Sequence, residues 1–171
     1  MKAPKTGRLR ITSDLVKEAL FNILGPMEGL AFLDMFAGSG NVGIEALSRG
    51  ARPVVFVERD SRHLATARQN LDTCGFGGGF EIIAASYERS LKGLGERGDR
   101  FDVIFADPPY DKGLVESFLD NLAGSPILSR DCVVVVEHSS REACLGNEGL
   151  EVYDERTYGD TVLSFLKPTY R

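Results

Sequence analysis

Short runs of β-branched and other apolar residues alternate with helical patterns along most of this chain, and this alternation constrains the fold more than any other feature. The strand-like runs cover residues 31–36, 53–57, 80–84, 101–106 and 132–136. Between them lie helical patterns at about 41–49, 61–74, 87–96 and 112–123. Strands that alternate with helices predict a parallel sheet covered by helices.

The two ends of the chain follow different patterns. Near the amino terminus, apolar residues at helical spacing predict a helix over 14–24, with Thr12 or Ser13 as its cap and Gly25-Pro26 as its end. Near the carboxyl terminus, residues 150–157 and 161–166 read as two strands joined at Gly159-Asp160, which predicts a hairpin. The expected fold is α/β and Rossmann-like, a seven-stranded, mostly parallel sheet with an antiparallel C-terminal hairpin.

Length and charge indicate one domain, residues 1–171, with a short basic arm at 1–13. The net charge is −5, which argues against a protein that coats nucleic acid indiscriminately. The first ten residues carry four basic residues and no acid, so the rest of the chain carries −9. A basic arm on an acidic body fits a local phosphate contact, for which Lys5, Arg8 and Arg10 are the candidates.

Neither the cysteines nor the apolar runs suggest a metal site or a membrane segment. The three cysteines are widely spaced and form no C-x-x-C pair, so no zinc site or disulfide framework is expected. No apolar run approaches the roughly 20 residues that cross a bilayer. We expect a cytoplasmic protein and favour a monomer over an oligomer.

A glycine-rich loop follows the first predicted strand and opens a helix. Residues 38–43 read Gly-Ser-Gly-Asn-Val-Gly, and Glu58 follows 20 residues after Gly38, at the end of the next strand. This pattern alone would suit a dinucleotide such as NAD. However, Asp34 lies just before the loop, where a carboxylate would repel a pyrophosphate. It suits a cationic amino-acid group better, which favours S-adenosylmethionine as the cofactor.

The fourth predicted strand ends in Asp107-Pro108-Pro109-Tyr110. Ligands of parallel α/β sheets bind at the carboxyl ends of strands, so this segment and the glycine loop should line one crevice. The Asp107 carboxylate and the Pro108 carbonyl could accept the two N–H bonds of an exocyclic base amine and direct its lone pair at a sulfonium methyl group. Tyr110 offers a ring on which the base could stack.

The sequence resembles the RsmD-type methyltransferases, which modify the N2 amine of a guanine in bacterial small-subunit ribosomal RNA. The helix at 12–24 is the more family-specific element, because the Asp-Pro-Pro-Tyr motif and the cofactor loop are shared with many amino-methyltransferases. The matching stretches are 12–24, 33–40, 45–51, 56–58, 107–110 and 158–161.

The resemblance implies a site as well as a fold. It implies a cofactor whose amino-acid end lies by Asp34, Phe36, Gly38 and Gly40 and whose ribose lies on Glu58, with Thr12, Asp14 and Ser86 as weaker candidates. Small-subunit rRNA or an assembling ribosomal subunit would be the partner, and Pro109 and Tyr110 would contact it together with the basic arm. That arm is shorter here than is usual in the family, and Arg10-Ile11-Thr12 replaces the family's Arg-Pro-Thr.

Three other hypotheses remain open from the sequence. An adenine-N6 DNA methyltransferase would use the same chemistry, but the chain leaves little room for a target-recognition region. An NAD-dependent oxidoreductase is compatible with the glycine loop, but it lacks an obvious proton donor. A non-catalytic RNA-binding protein would have no need of an intact Asp107–Tyr110 motif.

Overall fold

A computed structural model describes residues 6–110 and 113–170, with side chains described from residue 13 onward. The chain forms five helices and seven strands within these residues. In chain order they are α1 (Thr6–Leu24), β1 (Phe32–Met35), α2 (Asn41–Ser48), β2 (Val54–Glu58), α3 (Ser61–Thr73), β3 (Phe80–Ala84), α4 (Tyr87–Arg97), β4 (Phe101–Ala106), α5 (Leu114–Leu122), β5 (Leu128–Ser139), β6 (Leu150–Tyr158) and β7 (Thr161–Pro168).

The strands form one sheet in the order β3-β2-β1-β4-β5-β7-β6. The first five strands run parallel to one another, whereas β7 is antiparallel to both β5 and β6. The chain moves outward from β1 to β3 and then returns to place β4 on the other side of β1. This reversal opens a crevice at the carboxyl ends of β1 and β4, where ligands of such sheets bind.

Side chains alternate between the two faces of the sheet along each strand, and both faces are apolar. Helices therefore cover both faces. On one face, Phe32 and Phe105 pack with Val16 and Leu20 of α1 and with Leu47 of α2. The opposite face carries a second apolar cluster, formed with α4 and α5. We call the face that carries Phe32 and Phe105 the α1 face. Asp34 has the same orientation as Phe32, so it points to the α1 face from the end of β1.

The structure confirms the predicted α/β fold, the mostly parallel sheet and the antiparallel C-terminal strands. Gly159 adopts φ +60° in the tight turn between β6 and β7, as the predicted hairpin requires. The predicted start of the first helix is wrong, because α1 begins at Thr6 and not at Asp14. Thr12 and Ser13 therefore lie inside the helix and do not cap it, and the segment expected to be an arm is helical from Thr6. No helix in the described part of the chain is long and apolar enough to span a membrane.

Candidate active site

Two neighbouring recesses open at the carboxyl ends of the parallel strands. The larger recess has a volume of about 400 Å³ and lies between Glu58 at the end of β2, Ser86 before α4 and the Asp107–Tyr110 segment after β4. The smaller recess, about 230 Å³, lies on the α1 face. Three residues line both recesses: Phe36, Gly38 and Asp107. The predicted glycine loop and Asp-Pro-Pro-Tyr segment therefore do share one crevice.

The loop between β1 and α2 turns sharply along the wall of both recesses. Phe36, Gly38 and Gly40 have φ values of +61°, +56° and +81°, a region that favours glycine and is uncommon for phenylalanine. The Phe36 ring packs against Tyr87 and Phe118, at centroid distances of 5.5 and 5.8 Å. Phe36 thus connects the glycine loop to the aromatic side chains of α4 and α5.

Asp34 is buried, with 2% of its surface exposed, and its carboxylate accepts the Gly43 N–H of α2 at 2.9 Å. Gly40, the cap residue of α2, has no side chain to do this, so Asp34 supplies the N-terminal cap from the neighbouring strand. Burial raises the pKa of Asp34 to about 7, against the lowering effect of the Gly43 hydrogen bond, and the charges of Asp107 and Glu58 raise it further. Asp34 also lines the smaller recess, where a cation would favour its charged form.

Glu58 lies in the larger recess and connects the loop to the end of β2. Its Oε2 accepts the Gly38 N–H at 2.9 Å and its Oε1 accepts the Asp60 N–H at 3.0 Å. A carboxylate has about four lone-pair sites, so each oxygen retains capacity for a ligand hydroxyl. His63 Nδ1 lies 3.9 Å from Oε1 on the same wall.

Ser86 lines the larger recess and is also the N-cap of α4, accepting the Arg89 N–H at 3.4 Å. The next residue, Tyr87, donates or accepts a 2.7 Å hydrogen bond with Ser117 of α5. This bond fixes the ring against which Phe36 packs. Ser86 and Tyr87 thus anchor the third side of the recess to the helices behind it.

The Asp107–Tyr110 segment borders the larger recess along its whole length. Pro108 is buried, while Asp107, Pro109 and Tyr110 are exposed to the recess, and Tyr110 is 47% exposed. Desolvation in the crevice raises the pKa of Asp107 to about 6. Desolvation also raises the pKa of Tyr110, as do the charges of Asp107 and Glu137, while a hydrogen bond with Thr161 lowers it.

Some predicted site residues lie elsewhere. Asp14 is exposed on α1 and is not among the residues that line either recess. Gly40 faces the core instead, where a Cβ would come within 3.3 Å of Ala67 and Phe56. The side chains of Arg8, Arg10 and Thr12 lie outside the described part of the structure, as does Lys5 entirely.

The smaller recess contains residues that were not predicted from the sequence. Ser13 and Lys17 of α1 line it, as does Glu137 near the end of β5. Burial raises the pKa of Glu137 to about 8, and the charges of Asp107 and Asp34 add to the effect. The sequence contained an indication that Glu137 belongs to the site. Glu137 is the first acid after the apolar run at 132–136, just as Asp107 follows the apolar run of β4.

Comparisons with known proteins identify the family and the fold. Residues 1–167 match the model of a protein family described as "Conserved hypothetical protein 95". The chain belongs to this family. The "Ribosomal RNA small subunit methyltransferase D" of Haemophilus influenzae is 36% identical over 153 residues, which cover 88% of this chain and 79% of that protein. A Bacillus subtilis protein named "Putative rRNA methyltransferase YlbH" is 36% identical over 171 residues, 99% of this chain and 87% of its own. The expected resemblance to the RsmD-type enzymes is thereby confirmed.

Solved structures show the same fold. The crystal structure of a "putative methylase" from Haemophilus influenzae superposes with a TM-score of 0.79 at 33% identity, covering 93% of this chain and 99% of that one. A "SAM Dependent Methyltransferase" from Agrobacterium tumefaciens, 18% identical, has a TM-score of 0.70 and covers 92% of this chain and 62% of its own, a likeness of fold. The fold of this family member is that of S-adenosylmethionine-dependent methyltransferases.

Proposed function

We propose that the protein transfers the methyl group of S-adenosylmethionine to the exocyclic N2 amine of a guanine in small-subunit ribosomal RNA. The observation that carries the proposal is the position of Asp107 on the wall shared by the two recesses, opposite the glycine loop. Relatives named as small-subunit rRNA methyltransferases at 36% and 33% identity support this choice of substrate.

The residues present fit S-adenosylmethionine. The larger recess has a volume within the range of small-molecule sites, and Glu58 offers lone pairs for a ribose diol. The carboxyl groups of Asp34 and Asp107 line the smaller recess, where they would favour a cationic ligand such as S-adenosylmethionine. A pyrophosphate would meet these same carboxyls, so an NAD-dependent oxidoreductase is disfavoured.

The chemistry expected of this chain is orientation of a weak nucleophile. The bound cofactor supplies an electrophilic methyl group on its sulfonium. An exocyclic amine is a poor nucleophile because its lone pair is delocalised into the base. The Asp107 carboxylate and the Pro108 carbonyl accept hydrogen bonds from the two N–H groups of the amine. These bonds direct the nitrogen lone pair out of the base plane for in-line attack on the methyl group. The exposed Tyr110 ring stacks on the base, and the two prolines keep the segment rigid.

The RNA would reach the site over surfaces near α1. Pro109 and Tyr110 at the recess mouth contact the flipped base, and Lys5, Arg8 and Arg10 supply phosphate contacts. We expect the protein to act as a monomer in the cytoplasm, on free rRNA or on an assembling subunit. Phosphate contacts of this kind weaken steeply with salt, so activity on RNA should fall as the salt concentration rises.

The test is transfer from labelled S-adenosylmethionine to small ribosomal subunits and naked rRNA from cells that lack this protein. We expect label in the RNA, mapped to a guanine N2. Asp107→Asn keeps the size of the side chain but removes its charge, and we expect the rate to fall about 100-fold or more. Asp72→Asn, an exposed position on α3, is the matched control and should leave the rate unchanged. Label only on adenine in duplex DNA, or an unimpaired Asp107→Asn variant, would contradict the proposal.

A further inference from the structure

Glu137 is the one carboxyl of the smaller recess that the proposed chemistry leaves without a role among the described residues. The sheet register places it beside Asp107. Ala106 of β4 pairs with Val136 of β5, so the residues that follow them, Asp107 and Glu137, are neighbours on adjacent parallel strands. Both point to the α1 face, because side chains alternate along a strand and Phe105 and Val135 belong to the apolar cluster of that face.

Three carboxyl groups therefore meet in one recess of about 230 Å³: Asp34, Asp107 and Glu137. One cation, Lys17, is among the described lining residues, and its ammonium group is 3.8 Å from Glu45 and 3.5 Å from the Asn41 side chain. Repulsion between these carboxylates and their partial removal from water favour the protonated form of at least one of them near neutral pH.

The surroundings of Asp107 and Glu137 differ. Glu137 is half-buried on β5, whereas Asp107 is exposed just beyond the end of β4. Desolvation raises the pKa of both carboxyls, and the charges of Asp107 and Asp34 raise the pKa of Glu137 further. The less solvated Glu137 therefore holds a proton more readily than Asp107. Tyr110 also faces the pair. Its phenol is neutral near pH 7, and desolvation and the charges of Asp107 and Glu137 raise its pKa further.

We propose that Glu137 is a positioning residue, which holds a proton and donates a hydrogen bond from its carboxyl group to the Asp107 carboxylate. This inference rests on the proposed function, in which Asp107 accepts an N–H bond of the target amine. A protonated Asp107 would present an O–H donor to that amine and could not orient it with the same oxygen. Glu137 keeps the proton away from Asp107 and fixes the orientation of its carboxylate.

The proton balance of the transfer is consistent with this arrangement. The amine nitrogen forms a bond to the methyl carbon while the sulfur–methyl bond breaks, and its electron pair stays on sulfur. The methylated nitrogen then carries a positive charge and loses one proton to the Asp107 carboxylate. Asp107 returns that proton to water, and the proton on Glu137 remains in place throughout.

Single-turnover methyl transfer measured against pH tests the inference with two variants. The wild-type rate should rise with pH as Asp107 ionises and fall at higher pH as Glu137 loses its proton. Glu137→Gln donates a similar hydrogen bond but cannot ionise, so it should keep most of the rate and lose the alkaline decrease. Glu137→Ala should be slower by about 10- to 100-fold at every pH.

A Glu137→Gln variant that is as slow as Glu137→Ala, or that keeps the wild-type alkaline decrease, would overturn the inference. A second measurement does not depend on the substrate. Infrared difference spectra of wild type against Glu137→Gln near pH 7 should show the band of a protonated carboxyl that disappears above about pH 8. If that band is present but no rRNA is methylated, the proposed function fails, whereas the protonation of Glu137 is confirmed. If the band is absent, the inference fails whatever the substrate.

Discussion

Asp34 should lower the stability of the folded protein at neutral pH, although it caps α2. Its carboxylate is 2% exposed, and burial raises its pKa from 3.8 to about 7. Asp34→Asn is the informative change, because the amide oxygen can still accept the Gly43 N–H while the titratable proton is gone. The variant separates the charge of the residue from its capping role.

The sign of the effect follows from where the proton is bound. Between pH 3.8 and about 7, Asp34 is ionised in the unfolded chain and protonated in the folded one. The stability it contributes is therefore fully present below pH 3.8 and is lost as the pH rises towards about 7. A pKa difference of this size corresponds to a loss on the order of 4 kcal/mol. Asp34→Asn should lack this loss.

Urea unfolding followed by circular dichroism, without ligand and at several pH values from about 4 to 8, measures this effect. The free energy of unfolding of Asp34→Asn, relative to wild type, should increase by on the order of 4 kcal/mol over this range. Any cost of the buried amide is the same at each pH and does not change the trend. Asp34→Ala also removes the cap, so it should lie about 1 kcal/mol below Asp34→Asn throughout. Parallel curves for wild type and Asp34→Asn would refute the reasoning.

Two further predictions concern residues next to the glycine loop. Gly43→Ala should destabilise the protein by about 1–3 kcal/mol, because its Cβ would clash with the buried Phe56 ring. Gly93→Ala is the matched control in α4, where a Cβ meets nothing within 4 Å, and it should stabilise by up to about 1 kcal/mol; equal effects in thermal unfolding would contradict this packing. Glu58→Gln should weaken binding of S-adenosylhomocysteine about tenfold or more by calorimetry. An unchanged dissociation constant would remove Glu58 from the ribose site.

The parallel strands could be predicted from the sequence because each contains a short apolar run, and most helices because helical patterns fill the segments between these runs. The glycine loop and the Asp107–Tyr110 segment could be placed in one crevice because both follow strands of a parallel sheet. The start of α1 could not be predicted, since Thr12, Ser13 and Asp14 are strong capping residues and attracted the predicted boundary. The helix continues through them, which local preferences alone do not indicate.

The acids of the smaller recess illustrate a different limit. Asp34, Asp107 and Glu137 are separated by 73 and 30 residues in the chain, and only the strand order brings them together. The apolar run of β5 predicts a strand, but it does not specify that Val136 lies opposite Ala106 of β4. A shift of one residue in that register would turn Glu137 to the other face. Its role therefore depends on a pairing that no local pattern specifies.

The raised pKa values of these acids link the stability of the fold to its proposed function. Three carboxyls in one recess repel one another, so the empty protein is less stable at neutral pH than it would be with neutral side chains there. A cation in the recess reverses this effect, because it favours the charged forms that burial disfavours. Asp34→Asn should therefore combine a gain in stability with weaker binding of S-adenosylmethionine. A variant that gained stability and still bound the cofactor as tightly as wild type would show that the Asp34 charge contributes nothing to holding it.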